Sequence, residues 1–184
     1  PFFSPFVANG DFAGPPSCLD TNNDSYIDTC YISTTNASVY KIQFANADPA
    51  AMTMTLFFDA RTLLASRGLA GSTTIRNYGR VVATFDRNRD LHLFFGTGNF
   101  EDVQNVTEAN YFFELMDPSP EGSGAAVVGS TCNNGAGAGV FKLGAREKII
   151  FDPVIASGSV LFTSYAPDPN PCLPGDGALY GLSY

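Results

Sequence analysis

Along the chain, apolar residues come in short runs of β-branched and aromatic side chains. Clusters of Gly, Pro, Asn and Asp break these runs, and no long stretch keeps a 3.6-residue period. Such a pattern predicts strands rather than helices. The runs also recur. Pro5-Phe6-Val7-Ala8, Arg80-Val81-Val82-Ala83 and Pro153-Val154-Ile155-Ala156 are spaced by 75 and 73 residues. Each precedes a second run ending in small or hydroxyl residues: Cys30-Tyr31-Ile32-Ser33-Thr34, Leu93-Phe94-Phe95-Gly96-Thr97 and Val160-Leu161-Phe162-Thr163-Ser164. After a variable loop comes a third, with an aromatic residue two positions before an aliphatic one: Tyr40-Lys41-Ile42, Phe113-Glu114-Leu115 and Tyr180-Gly181-Leu182. The first two copies add a fourth run, Met54-Thr55-Leu56-Phe57-Phe58 and Gly139-Val140-Phe141-Lys142-Leu143, whereas the third ends at Tyr184.

Four-stranded units in series build a β-propeller, so the expected fold is all-β and part of a single propeller. Its blades fall at about 1–75, 76–148 and 149–184, the last incomplete. The period exceeds the ~40–50 residues usual for such repeats because residues 10–29, 98–110 and 116–138 form long connections. Asp117-Pro118-Ser119-Pro120-Glu121-Gly122-Ser123-Gly124 reads as an exposed linker, and residues 61–79 leave room for a short helical turn. Propellers close with about 4 to 8 blades. The expectation is therefore a C-terminal portion of a larger propeller, its remaining blades supplied by the same or another polypeptide; alone, two open sheet edges would invite aggregation.

One connection carries chemistry. In Cys18-Leu19-Asp20-Thr21-Asn22-Asn23-Asp24-Ser25-Tyr26-Ile27-Asp28-Thr29-Cys30, the side chains of Asp20, Asn22, Asp24 and Asp28 stand at loop positions 1, 3, 5 and 9, with the Tyr26 carbonyl at position 7. This is the ligand spacing of an EF-hand-type calcium loop. Three carboxylates crowded to about 5 Å cost on the order of 3 kcal/mol per pair at an effective dielectric of about 20. A hard divalent cation removes that cost and suits an all-oxygen shell. The rival reading is an Asp/Asn-rich turn held by local hydrogen bonds.

Composition narrows the setting. With 45% hydrophobic and 15% charged residues the chain is globular, and its net charge of -8 argues against nucleic acid or anionic lipid as a partner. No apolar run approaches the roughly 20 residues of a transmembrane segment. The four cysteines, Cys18, Cys30, Cys132 and Cys172, include no C-x-x-C, and His92 is the sole histidine. Disulfides are therefore favoured over zinc or haem, with Cys18–Cys30 and Cys132–Cys172 the economical pairing. By chain entropy these are worth about 3 and 4 kcal/mol, and they place the chain outside a reducing cytosol.

Taken together, Ser4-Pro5-Phe6-Val7-Ala8, the Asp20-x-Asn22-x-Asp24-x-Tyr26-x-Asp28 loop and Val39-Tyr40-Lys41-Ile42 resemble the calcium blade of the PilY/PilC-type type IV pilus biogenesis factors and tip adhesins. Leu93-Phe94-Phe95-Gly96-Thr97-Gly98-Asn99-Phe100 with Tyr111-Phe112-Phe113 resembles the next blade of that family. Asp152-Pro153-Val154, Val160 to Pro167, Cys172 and Leu179-Tyr180-Gly181-Leu182 resemble its last. The resemblance implies a C-terminal propeller of a secreted protein, extracellular at the pilus tip or outer cell surface. It further implies pilus (minor pilin) proteins and a host or abiotic surface as partners, and roles in pilus assembly, retraction control, adhesion and motility. Ca2+ would be held by Asp20, Asn22, Asp24, the Tyr26 carbonyl and Asp28. Two departures stand out: Ser25 where the family has Gly, and no Glu at position 12. Residues 9–19, with Cys18, look like an insertion.

Signals of catalysis are weak, and no enzyme is expected. His92 lies in a strand between Leu91 and Leu93 with no partner acid or nucleophile in its sequence context and reads as a structural surface residue. Ser157-Gly158-Ser159 is a hairpin turn. Gly135-Ala136-Gly137-Ala138-Gly139 lacks the Lys-Ser/Thr of a P-loop and reads as a flexible loop. Gly96-Thr97-Gly98-Asn99 also resembles a blade motif of quinoprotein (PQQ-like) propeller enzymes, but the chain has no Trp for their docking motifs. An integrin-like ligand-binding propeller would repeat its calcium loop, and here only one is present.

Overall fold

The computed structural model describes residues 8–44, 48, 51–71, 73–130, 132 and 134–184. It is all-β, with three antiparallel sheets succeeding one another along the chain. The first sheet has the order β1 (Ser17–Leu19), β2 (Thr29–Ser33), β3 (Ser38–Phe44) and β4 (Met52–Asp59). A seven-residue helix, α1 (Ala60–Ser66), follows. The second sheet holds β5 (Val82–Phe85), β6 (Leu91–Gly96), β7 (Tyr111–Asp117), β8 (Val127–Val128) and β9 (Val140–Lys142). The third runs β10 (Val154–Ala156), β11 (Ser159–Ala166) and β12 (Asp176–Ser183).

The period-2 alternation of side chains explains how the sheets stack. Every residue of β6 is buried, as is nearly all of β7, so the second sheet is covered on both faces. On one face Leu91, Leu93, Phe95, Tyr111, Phe113 and Leu115 join Tyr31, Val39, Phe57 and Phe58 of the first sheet in one core. On the other, Phe94 and Phe112 join Val160 and Phe162 of the third in a second core. Aromatic rings carry both contacts: Phe58 and Phe113 lie 5.8 Å apart, and Phe112 and Phe162 stack at 4.0 Å. Burial of each such side chain contributes about 1.5–3 kcal/mol. Sheets packed face to face in series form a partial β-propeller, as the repeat predicts.

Several expectations need correction. Residues 10–20 are not a bare connection, because Ser17–Leu19 forms β1 and pairs with β2. The first run of the first repeat, Pro5-Phe6-Val7-Ala8, lies outside the described residues except for Ala8. In the second sheet the fourth rank is split: β8 pairs with Leu115 and Met116, and β9 with Tyr111 to Phe113, along the same edge of β7. Gly129 donates to the Glu114 carbonyl and the Gly139 carbonyl accepts from the Glu114 N–H, so the two pieces meet around one residue. Gly139 has φ +69°, and a Cβ there would sit 2.7 Å from the Gly129 oxygen, which closes this junction to other residues. The helical turn within 61–79 is α1, capped by the Asp59 carboxylate, which accepts from the Arg61 N–H at 3.0 Å. Among the described residues no helix is long and apolar enough to cross a membrane.

Candidate functional site

β1 and β2 pair in the register Ser17↔Tyr31, Cys18↔Cys30 and Leu19↔Thr29, and the loop 20–28 hangs from their end. The expected Cys18–Cys30 disulfide is present and joins facing residues of the two strands, whose Cα atoms are 4.0 Å apart. Above it, the Asp28 N–H donates to the Leu19 carbonyl at 3.0 Å. The Thr21 N–H and hydroxyl both donate to Asp28 Oδ2, at 2.8 and 3.1 Å. The loop is thus fastened at its base by a covalent bond and by Asp28.

Its upper turn is wound around Asp20. Oδ1 accepts from the N–H groups of Asn23 and Asp24 at 2.6 and 3.2 Å, and Oδ2 from that of Ser25 at 2.7 Å. Asn22 Oδ1 accepts from the Asp24 N–H, and Asp24 Oδ1 from the Tyr26 N–H, each at 2.9 Å. These side chain to backbone bonds are the Asx-turn chemistry of Asp and Asn. They leave capacity for an ion, because Asp20 Oδ2 and Asp24 Oδ1 each accept only one of these bonds and keep a second lone pair. The winding brings one oxygen each of Asp20, Asp24 and Asp28 within 4.8 Å of one another. Asn23 and Ser25 take φ of 67° and 73°, so Ser25 occupies the left-handed position expected of Gly.

The donor set is all oxygen and strongly anionic, which fits calcium. Position 12 is held by Tyr31, fully buried against Phe57, with its hydroxyl donating to Asp117. An EF-hand takes a bidentate Glu there. A bound ion would therefore draw on at most Asp20, Asn22, Asp24, the Tyr26 carbonyl and Asp28, with water completing the shell. The loop borders an open groove of about 390 Å³ whose walls include Asn22, Asp28, Gln43, Thr53 and Glu121.

Two other long connections are organised by lysines. Lys41, on β3, is fully buried; its Nζ donates to Asp117 Oδ2 and to the carbonyls of Ser119 and Gly122, each at 2.6 Å. Asp117 also accepts from the Tyr31 hydroxyl and, through Oδ1, from the Ser119 N–H. Burial first, then the neighbouring Asp117 carboxylate, push the Tyr31 phenol upward. The stretch 117–124 is accordingly no free linker but is held against the first sheet. Lys148, also fully buried, donates to the carbonyls of Asn105 and Asp102 at 2.8 and 3.3 Å. Burial lowers its pKa, partly opposed by Glu108 and Asp102. The signal for Lys41 in the sequence was a cation at a core-facing strand position beside Val39 and Tyr40.

His92 is buried rather than on the surface. Its Nδ1 stands 3.3 Å from Glu114 Oε1, and Nε2 lies 3.9 Å from Asp86 Oδ2. The expected Cys132–Cys172 disulfide does not form. Cys132 is sealed in the second core, its N–H held by Glu114 Oε2 at 2.8 Å, whereas Cys172 is exposed in the β11–β12 connection. Burial, reinforced by Glu114, pushes the Cys132 thiol upward and holds it neutral. The 135–139 segment is clamped, not loose: the Arg67 guanidinium donates to the carbonyls of Ala136 and Ala138, each at 3.0 Å.

Sheet order and stacking define the class, a partial β-propeller with an acidic loop at the end of its first strand pair. In fold the chain is similar to the crystal structure of the Pseudomonas aeruginosa PilY1 C-terminal domain, with a TM-score of 0.66 and 13% identity over 91% of this chain. The match spans 46% of that chain, about half its length. At this identity the likeness is one of fold. Neither a protein-family model nor a curated protein matches the sequence.

Proposed function

We propose that this chain is a non-enzymatic, calcium-binding β-propeller module of a pilus-associated surface protein, serving type IV pilus assembly, retraction control, adhesion and motility. The observation that carries the calcium reading is the convergence of Asp20, Asp24 and Asp28 oxygens within 4.8 Å on a loop fastened at its base. A wound, anionic loop of this kind takes up a hard cation with little rearrangement, and calcium in turn stiffens the rim of the first sheet. The pilus setting is supported by the fold shared with the PilY1 C-terminal domain. The Cys18–Cys30 disulfide suits an extracellular location at a pilus tip or outer surface. Minor pilins and a host or abiotic surface are the partners this setting supplies, together with the remaining blades of the ring.

Isothermal titration of the protein with calcium at low ionic strength tests the site. The expected result is about one site, lost in Asp20→Ala and in Asp24→Ala; normal calcium uptake by both variants overturns the assignment. The setting is tested separately by immunogold labelling of intact cells with antibodies to this domain. Label on pili supports it, and label confined to the cell interior refutes it.

A further inference from the structure

Most arginines of this chain are engaged within the fold. Arg61 donates to the Ile75 carbonyl, Arg67 to those of Ala136 and Ala138, Arg76 to Asn36 Oδ1 and Arg146 to the Pro167 carbonyl, while Arg80 lies 3.9 Å from the Asp152 carboxylate. Arg87 and Arg89 differ. Both are exposed, and neither side chain has a hydrogen bond or ion pair with any described residue. They stand on the turn between β5 and β6, which is wound around Asp86. The Asp86 N–H donates to the Asp90 carbonyl at 2.9 Å, and its Oδ1 accepts from the N–H groups of Asn88 and Asp90, each at 2.8 Å. Two guanidinium groups with every donor free are therefore held on an ordered backbone.

The turn separates two open grooves. The larger, of about 800 Å³, has Phe85, Arg87, Asn88, Ser157 and Tyr184 in its walls; the smaller, of about 320 Å³, has Phe85, Arg89 and Glu121. Phe85 is shared by both, and the Tyr184 ring is placed by packing on His92 and Phe94, with centroids 5.5 and 5.2 Å apart. We infer that this turn is a docking point for an extended acidic segment of a partner protein, with carboxylates gripped by Arg87 and Arg89 and apolar side chains laid along Phe85 and Tyr184. A guanidinium is weakly hydrated and meets a carboxylate with two parallel bonds, and paired arginines are a recurring means of holding acidic motifs. Charge selects the kind of occupant. A net charge of -8, with Asp86 and Glu121 in the groove walls, repels a dense polyanion such as a sulfated glycan. A peptide with acids spaced among apolar residues meets both cations without that penalty.

Fluorescence anisotropy at low ionic strength tests this. The probes are a labelled peptide of glutamates alternating with phenylalanine and glycine, the same peptide with glutamine for glutamate, and low-molecular-weight heparin. The glutamate peptide should bind about tenfold more tightly than the glutamine peptide, the gain expected from two exposed ion pairs. Arg87→Ala combined with Arg89→Ala should erase that preference and leave the urea midpoint unchanged, because neither side chain holds any part of the fold. Lys142→Ala, which removes an exposed cation elsewhere on the second sheet, should leave binding as it was. No binding of the glutamate peptide, equal binding of the two peptides, or a preference that survives the double variant overturns the inference. Heparin binding that exceeds the peptide's and is lost with the same two arginines overturns the occupant by placing a sulfated glycan on the turn. The titrations run in EDTA, so their outcome is separate from that of the calcium reading.

Discussion

Replacing Lys41 by Met should be among the most damaging single substitutions in the first sheet. The ammonium meets three oxygens at 2.6 Å, one of them on Asp117, and neither side chain of the pair is exposed. Met fills similar volume but leaves a buried carboxylate without its counter-charge, a loss of about 3–5 kcal/mol. Asp117 keeps two donors, the Tyr31 hydroxyl and the Ser119 N–H, which favours the lower end for that term. The abandoned carbonyls of Ser119 and Gly122 add about 1–3 kcal/mol each if water does not reach them. The expected total runs from about 3 kcal/mol, if water reaches both carbonyls, to about 5 kcal/mol or more if it reaches neither. Urea denaturation of Lys41→Met, Asp117→Asn and the double variant measures it. The double variant should be more stable than the sum of the singles by about 1–3 kcal/mol, the coupling expected within one network. A loss below about 1 kcal/mol in Lys41→Met, or strict additivity, refutes the reasoning.

Ser25→Gly removes the strain at φ 73°, a penalty of about 1 kcal/mol. It should raise stability by about 1 kcal/mol in urea denaturation and, since the ion is taken up with little rearrangement, leave calcium affinity nearly unchanged by titration; an unchanged denaturation midpoint would refute the strain. Stability should also fall in alkali. The Cys132 thiol is raised above its ordinary 9.0 and the Tyr31 phenol above 10.0, so the native state retains protons that the unfolded chain loses. Their contribution is complete below pH ~9 and declines as pH rises, by about 1.4 kcal/mol per pH unit for each group. Cys132→Ala should flatten the decline between pH 9 and 10 by about that amount in urea titrations, and an unchanged slope would refute the assignment.

Much of the architecture was legible because one face of each strand is buried, and burial imposes period 2 on the residues. Leu93-Phe94-Phe95 opens the second run of its repeat and Phe113-Glu114-Leu115 forms the third, and both are strands of the second sheet, covered on both faces. The loop was legible because metal spacing and turn chemistry ask for the same residues; Asp20 meets both demands. What stayed hidden depended on contacts distant in the chain. Ser17–Leu19 is too short to show periodicity, and it is a strand because β2 and the disulfide hold it. The split fourth rank depends on Gly129 and Gly139 meeting around Glu114. Polar, Pro-rich residues 117–124 resemble a free linker, and groups distant in the chain hold them in place: Lys41, 78 residues before Ser119, with Tyr31 on Asp117 and Thr29 on the Pro120 carbonyl. The second cysteine pairing failed because counting thiols carries no information about which of them the core encloses.

The lysines bear on how the protein answers its medium. The connections at 98–110 and 117–124 are wound around cations that belong to the chain itself, Lys148 and Lys41, and no chelator can extract them. The connection at 20–28 holds three acids and neither lysine nor arginine. Two of these rims are therefore held by charges of the chain itself, whereas on the calcium reading proposed above the third would take its counter-charge from outside. A fall in free divalent ions would loosen one edge of the first sheet and leave the other two rims unaltered, making that loop a local gauge of external ion supply.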